Sequence, residues 1–267
     1  MKTALYTKYV EPSMHHHLEN LVLALHNHHI ETTEFSDSLP HQDFDFVLSI
    51  GGDGTLLSCV HHIVDSGIPI IGVNFGHLGF LTTVGTENLE DFAENLVMGH
   101  FSIEKRTLLN AMVDDIDTFA LNEVFVHRAE NVPLLQTDLY VDEEYVATYS
   151  GDGLIVATPT GSTAYSLSCG GPILTPNSGC FVVTPIGAHS LTLRPFIVPD
   201  TASIKLVTDS RHSTLYLGLD SRSQELKGGT TILLQRANFT INLVRMSHQN
   251  FFSAIHQKLL WGTDARR

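Results

Sequence analysis

Basic side chains are scarce in this sequence. Fifteen Lys and Arg stand against 29 Asp and Glu in 267 residues, a net charge of −14 with His neutral. Nucleic acid and anionic membranes bind through a basic field, so neither is expected as a partner. The same deficit means that an anionic substrate must be held by local devices: backbone N–H groups, a few cations, a divalent metal. Cysteine is also sparse. Cys59, Cys169 and Cys180 are odd in number and lack the spacing of a disulfide framework or a zinc site. No apolar run approaches membrane-spanning length, and the first residues, Met-Lys-Thr-Ala-Leu-Tyr, form no signal-peptide core. A soluble, cytoplasmic protein is expected. Hydrophobic residues make up 43% of the chain and charged ones 16%, enough for a sizeable core in one large domain or two ordinary ones.

The stretch that organises the chain is 46–58. An apolar, β-rich run, Phe46, Val47, Leu48 and Ile50, ends in Gly51-Gly52-Asp53-Gly54, and a helical pattern follows over about 55–65. Strand, glycine turn and helix together bring backbone N–H groups up to a phosphate. Asp53 is out of place there, because a carboxylate repels phosphate. Its open roles are general base, Mg2+ ligand or acceptor from a ribose hydroxyl. No Gly-Lys-[Ser/Thr] follows, so this is not a P-loop.

Around that stretch, strands are expected at 3–6, 32–35 and 69–73, and amphipathic helices at 13–27, capped by Ser13, and from Leu89 to Gly99. The histidines at 15, 16 and 17 lie inside a helical pattern and point in different directions, so they read as a solvated face and not as a metal tract. Alternating strands and helices imply a mostly parallel sheet, with ligands at the carboxyl ends of its strands. The turn Asn74-Phe75-Gly76-His77-Leu78-Gly79-Phe80 falls on that edge beside the first glycine turn.

Near residue 100 the helical period gives way to β-branched alternation. Strands are expected at 101–113, 118–127, 134–141, 145–150, 153–158, 180–184, 203–208, 213–219, 230–236 and 239–246, with a hairpin turn at Asp142-Glu143-Glu144. Only 162–168 reads as helical before a final amphipathic helix, marked by Phe251, Phe252, Ile255, Leu259 and Leu260. The expected domains are 1–100 with 248–267, α/β, and 101–247, β-rich, the last helix packing back on the first.

Two further segments carry chemistry. Gly151-Asp152-Gly153 opens a strand that runs into Thr158-Pro159-Thr160-Gly161-Ser162-Thr163-Ala164-Tyr165-Ser166. Hydroxyls clustered about a glycine before a short helix can serve a base or phosphate, or simply make a capped turn. Asn122-Glu123 sits within an expected strand, where both types are disfavoured. It is edge decoration or a site pair, and adjacent residues face one site only where a strand ends or bulges.

In that order these blocks resemble the bacterial NAD kinases over about 46–190. The resemblance implies a Rossmann-like first domain, a β-sandwich-like second domain, and homo-oligomers, often tetramers. It implies that NAD and ATP with Mg2+ give NADP and ADP, the metal being held mainly by the ATP phosphates. By the same resemblance Asp53 is the general base on the 2′-hydroxyl of the adenosine ribose, and Gly52 and Gly54 let backbone N–H groups face the donor phosphates. Asn122 and Glu123 then hold ribose hydroxyls. Asp152, Ser162, Thr163, Ala164 and Tyr165 shape the adenine and nicotinamide ends, with Thr160 and Ser168 nearby, Phe75 as an aromatic wall and Gly187 closing the site. Cys169 stands where a smaller residue is usual and is expected to be buried and inert. Arg194, Arg211, Arg222 and Arg236 fall outside the shared motifs. The Gly-Gly-Asp-Gly turn alone also fits lipid kinases and phosphofructokinases, and a non-catalytic NAD sensor is the rival from another class.

Overall fold

The structure, a computed structural model, describes all residues except 9–11, 41–42, 78, 130–133, 210–213, 248–249 and 262–267. Leu78, Arg211 and Ser213 thus lie outside the described residues, as does the side chain of Ser13. The chain divides into two compact units, Met1–Lys105 with Ile241–Arg267, and Arg106–Thr240. Among the described residues no helix is long and apolar enough to cross a membrane.

The first unit is α/β. Its strands are β1 (Lys2–Thr7), β2 (Glu31–Phe35), β3 (Phe46–Ile50), β4 (Ile70–Val73) and β5 (Thr82–Val84), with helices α1 (His15–Asn27), α2 (Asp53–Ile63) and α3 (Leu89–Met98). All pair in parallel: β1 lies between β2 and β3, β3 joins β4, and β5 flanks β4. Leu21 and Leu25 of α1 and Phe92 and Leu96 of α3 bury one sheet face with Leu5, Leu48 and Ile71. Full burial of each such side chain contributes about 1.5–3 kcal/mol. Helix α2 covers the other face, where Tyr6 stacks on His62 and bonds the Ser58 hydroxyl at 2.9 Å. Gly99 ends α3 at φ +73°, a left-handed cap that glycine adopts without strain. Helix α1 begins after a tight turn over Pro12–Met14, and the capping role expected of Ser13 lies outside the described side chains.

Register places the site. Ile50 of β3 lies opposite Val73 of β4, so Gly51 and Asn74 leave the sheet side by side at its carboxyl edge. Strand β5 had no signal in the sequence, because three residues are too short for a period to show.

The second unit is antiparallel. Strands β6 (Phe101–Val113), which enters it from the first unit, and β7 (Ile116–Ala120) form a hairpin. They are followed by β8 (Glu123–Arg128), β9 (Leu135–Val141), β10 (Glu144–Gly151) and β11 (Gly153–Ala157). After the short helix α4 (Tyr165–Ser168) come β12 (Cys180–Ile186), β13 (Phe196–Pro199), β14 (Ile204–Thr208), β15 (Leu215–Leu219), β16 (Arg222–Leu226) and β17 (Thr231–Met246). One sheet runs β13-β12-β11-β8-β15-β16, and β10-β9-β14-β17 run together in the other. Val124, Leu154 and Phe181 of the first sheet share one core with Leu139, Leu206 and Leu234 of the second. Asp142 and Glu143 make the expected hairpin turn, both at positive φ. The final helix, α5 (Phe251–Leu259), starts with a capping box between Asn250 and Ser253 and belongs to the first unit.

Three expectations need correction. The strand expected at 118–127 is two strands, β7 and β8, broken at Leu121-Asn122. The two strands expected at 230–246 are one, β17, because Asn238 and Thr240 are accommodated without a break. Strands β13 and β16 went unseen among polar and proline-flanked residues.

Candidate functional site

In the first unit the glycine turn is built from a fully buried strand, β3, running into the N-terminus of α2. Gly51 has φ +144°, and a Cβ there would lie 2.4 Å from Thr55 Oγ1, so the fold itself requires glycine. Gly52 and Gly54 differ. A Cβ at Gly54 meets nothing within 4 Å, and one at Gly52 meets only Asn74 Nδ2, at 3.9 Å. Their open faces are what a ligand approaching the backbone would use.

Asp53 is the first residue of α2, where the helix dipole favours an anion. Its two oxygens are unequal. Oδ1 accepts from Leu81 N at 3.2 Å, Thr82 N at 3.0 Å and the Thr82 hydroxyl at 3.0 Å. Among the described residues Oδ2 accepts only from Phe80 N, at 2.8 Å. A carboxylate offers about four acceptor positions, so the vacant one is on Oδ2. The donor loop is itself anchored. Gly79 N–H donates to Thr82 Oγ1 at 2.7 Å, and buried Arg245 donates to Phe80 O at 2.9 Å while pairing with Glu104 at 3.0 Å. Gly79 must be glycine, because its Cβ would fall 1.8 Å from Asp53 Oδ1. Asn74 folds the adjoining turn, donating to His77 O at 2.5 Å and accepting from Gly76 N at 3.0 Å. Phe75 is half-buried against His17, with ring centroids 5.6 Å apart, so one histidine of α1 is packed and not merely solvated.

In the second unit Asn122 lies in the gap between β7 and β8, and Glu123 opens β8 opposite Ala157, so the break frees Asn122 from strict alternation with its neighbour. Asp220, at the turn between β15 and β16, accepts the backbone N–H groups of Leu121, Asn122 and Glu123 at 2.9, 2.7 and 3.2 Å. Thr158 N donates to Asn122 O at 2.8 Å and Thr158 Oγ1 to Leu121 O at 2.6 Å. Gly161 packs flat on Asn122, where a Cβ would come within 2.1 Å of the Asn122 carbonyl oxygen. Glu123 is buried, and its Oε2 has no partner. Burial first, then the Asp220 carboxylate, push its carboxyl from 4.5 up to about 8, against the pull of the Tyr165 backbone N–H. Burial also raises Asp220, opposed by the three N–H groups and by the Arg222 guanidinium.

Tyr165 stands edge-on to Phe125, ring centroids 5.3 Å apart, and is half-buried beside Thr163 and Ala164. Its phenol is raised by burial, then by Cys169, Asp152 and Glu123, so these groups share one neighbourhood. Cys169 is half-buried, not buried as expected, and burial pushes its thiol up, which disfavours the reactive thiolate. Asp152 pairs with Arg128 at 2.5 Å. Gly187, at φ +54°, lies against it: a Cβ would be 2.6 Å from Asp152 Oδ2.

The hydroxyl cluster divides. Ser162 is fully buried, its hydroxyl donating to Pro159 O at 2.7 Å and accepting from Leu174 N at 2.9 Å. Thr160 is buried beside Arg106, 3.4 Å away. The Ser162 hydroxyl is thus engaged within the turn and the Thr160 hydroxyl with Arg106. Ser168 is exposed at the end of α4. The described arginines outside the motifs have structural partners: Arg194 bonds Leu191 O and Leu193 O, Arg222 bonds Phe119 O, and Arg236 pairs with Asp200. Sequence reasoning passed over Thr82, Arg128, Asp220 and Arg245, whose partners are far away in the chain.

The comparisons with known proteins point to one family. Residues 1–101 match the family model of the ATP-NAD kinase N-terminal domain, and residues 121–246 match that of the C-terminal domain. The chain is 41% identical over 231 residues to an NAD kinase of Flavobacterium psychrophilum, covering 84% of this chain and 79% of that one. It is 43% identical over 232 residues to an NAD kinase of Porphyromonas gingivalis, covering 86% and 80%. Among solved structures, yeast NADH kinase complexed with NADH superposes with a TM-score of 0.88 at 26% identity, over 99% of this chain and 89% of that one. An NAD kinase from Archaeoglobus fulgidus in complex with ATP gives 0.80 at 27% identity, over 97% and 99%.

Proposed function

The chain belongs to the ATP-NAD kinase family, and on that premise we propose that Asp53 is the general base in moving the γ-phosphoryl group of ATP to the 2′-hydroxyl of the adenosine ribose of NAD. The observation that carries this reading is the asymmetric carboxylate beside the open glycines. Asp53 is fixed by four donated hydrogen bonds, three of them on Oδ1. Oδ2 therefore takes the proton. A ribose hydroxyl is a poor nucleophile, but in a loose phosphoryl-transfer transition state its proton leaves late, so a carboxylate of ordinary basicity suffices.

The backbone at Gly52 and Gly54 faces the donor phosphates, and Phe75 walls that end. Asn122 and Glu123 hold ribose hydroxyls, and Glu123 Oε2 is buried without a partner among the described residues. Tyr165 packs a ring face against the substrate, Thr163 and Ala164 offer backbone polar groups, and Asp152, oriented by Arg128 and Gly187, receives a donor of the second nucleoside. Mg2+, as the resemblance implies, enters with the substrate as its ATP complex, held mainly by the phosphates. There it neutralises phosphate charge that this acidic chain cannot. The resemblance also implies a homotetramer, which sedimentation would check.

The test is direct. Pure protein is mixed with NAD, ATP and Mg2+, and product is read with a dehydrogenase that accepts only the 2′-phosphorylated cofactor. NADP formation that needs all three is expected. NAD binding without product would place the chain as a sensor instead.

A further inference from the structure

Asp220 belongs to none of the motifs that carry the resemblance. It opens the two-residue turn between β15 and β16 at φ +54°, a left-handed conformation that Asp adopts in tight hairpin turns. Its carboxylate is also partly withdrawn from water. That withdrawal is offset by the three backbone N–H groups the carboxylate holds. We propose that Asp220 is a positioning residue of the nucleotide site, fixing Asn122 and Glu123 in the orientation that meets NAD. This rests on the reading that those two residues hold ribose.

Leu121 and Asn122 lie where a strand should run on but does not, and Glu123 opens the next strand. With β7 ended at Ala120, the N–H groups of Leu121 and Asn122 fall outside it, and the Asp220 carboxylate collects them together with that of Glu123 at 2.7–3.2 Å. Asp220 N–H returns a bond to Glu123 O at 3.1 Å. From the other side Thr158 satisfies Leu121 O and Asn122 O, and Gly161 closes against the Asn122 backbone. The backbone of the dipeptide is thus over-determined, while Glu123 Oε2 is buried with no partner. A rigid backbone that presents unsatisfied side-chain atoms is the arrangement of a preorganised binding site.

Asp220 also acts through charge. Glu123 is faced by the Asp220 carboxylate, the Tyr165 phenol and the Cys169 thiol, and Asp220 is in turn faced by Arg222. The negative neighbour favours the neutral acid form of Glu123, which can donate a hydrogen bond to a ribose oxygen.

The test is steady-state kinetics on the full chain with Asp220→Asn, which keeps the volume but turns an NH2 group toward a backbone N–H. The KM for NAD should rise about tenfold, the KM for ATP stay within twofold, and kcat change by less than threefold, the scale of one lost hydrogen bond. The alkaline limb of kcat/KM for NAD should move to lower pH, because the charge that opposes Glu123 ionisation is gone. Both KM values rising together, neither rising, or a stationary limb overturns the proposal. Hydrogen exchange on the unmodified protein is a second arm that does not depend on the variant folding. The amides of Leu121 and Asn122 should be strongly protected, and exchange at the rate of an unstructured peptide overturns the proposal. Asn122→Ala separates the two readings. If it leaves the NAD KM unchanged, the ribose reading falls and Asp220 with it. If it raises that KM and Asp220→Asn does not, Asp220 alone falls.

Discussion

Asp53 and Thr82 are joined twice: Asp53 Oδ1 accepts both the backbone N–H and the hydroxyl of Thr82, each at 3.0 Å. With the Leu81 N–H on the same oxygen, Oδ1 is saturated, and the single Phe80 contact leaves Oδ2 with room for a substrate proton. The carboxylate is thereby held in one rotamer, with Oδ2 the more open of its two oxygens.

Asp53→Asn keeps this shape but replaces one oxygen with a group that cannot take a proton. General base catalysis contributes on the order of 10²–10⁴ in rate. The variant should therefore lose at least a hundredfold in kcat, while its NAD affinity, measured by calorimetry, stays within a few-fold. Turnover near that of the unaltered enzyme would remove Asp53 from proton transfer.

Gly54 makes a sharper probe of the phosphate face than Gly51. An added Cβ at Gly51 strikes Thr55, so any loss there is confounded by misfolding. At Gly54 the added Cβ meets nothing within 4 Å, and the residue lies in the first turn of α2, where alanine is the better helix former by up to about 1 kcal/mol. Gly54→Ala should fold with an unchanged or higher Tm yet raise the KM for ATP tenfold or more. If ATP is handled as before, the phosphates do not approach this backbone.

Tyr165 is half-exposed, with one edge supported by Phe125. A ring in that position contributes packing in the ground state and transition state alike. Tyr165→Ala should raise the KM for NAD by about tenfold and change kcat little, the pattern of lost uniform binding. A fall in kcat at constant KM would instead place the phenol at the reacting phosphate.

Local signals were legible in the sequence and long-range ones were not. The run from Phe46 through the glycine turn into α2 reads from period and glycine spacing alone, as do the Gly99 cap and the turn at Asp142-Glu143. The break between β7 and β8 did not, because Leu121-Asn122 is pulled out of the strand by Asp220, about a hundred residues on, which no window can see. Thr160 and Ser162 are ambiguous in the sequence for another reason. Ser and Thr serve turns and ligands with the same hydroxyl, and only burial tells the two apart. Thr82 and Arg245 show that the loop holding the base is itself held from a distant strand.

Glu123 links function to stability. Its carboxyl titrates near 8 in the folded chain against 4.5 in an ordinary setting. Below the lower value both folded and unfolded chains carry the proton, and the group has no effect on the balance. Between the two values the folded state still binds the proton and the unfolded state has released it, so stability falls as pH rises. Above the upper value the penalty is constant, a few kcal/mol at most. Glu123→Gln removes the titration while keeping a neutral side chain of the same size. Its Tm should match the parent near pH 4.5 and exceed it increasingly up to about pH 8, with the gap flat beyond. A gap that does not depend on pH would mean that Glu123 enters the fold already ionised, and that the buried Oε2 is stabilised as an anion. A widening gap would show that the site keeps an acid whose removal stabilises the fold, as expected of a residue retained for its ligand.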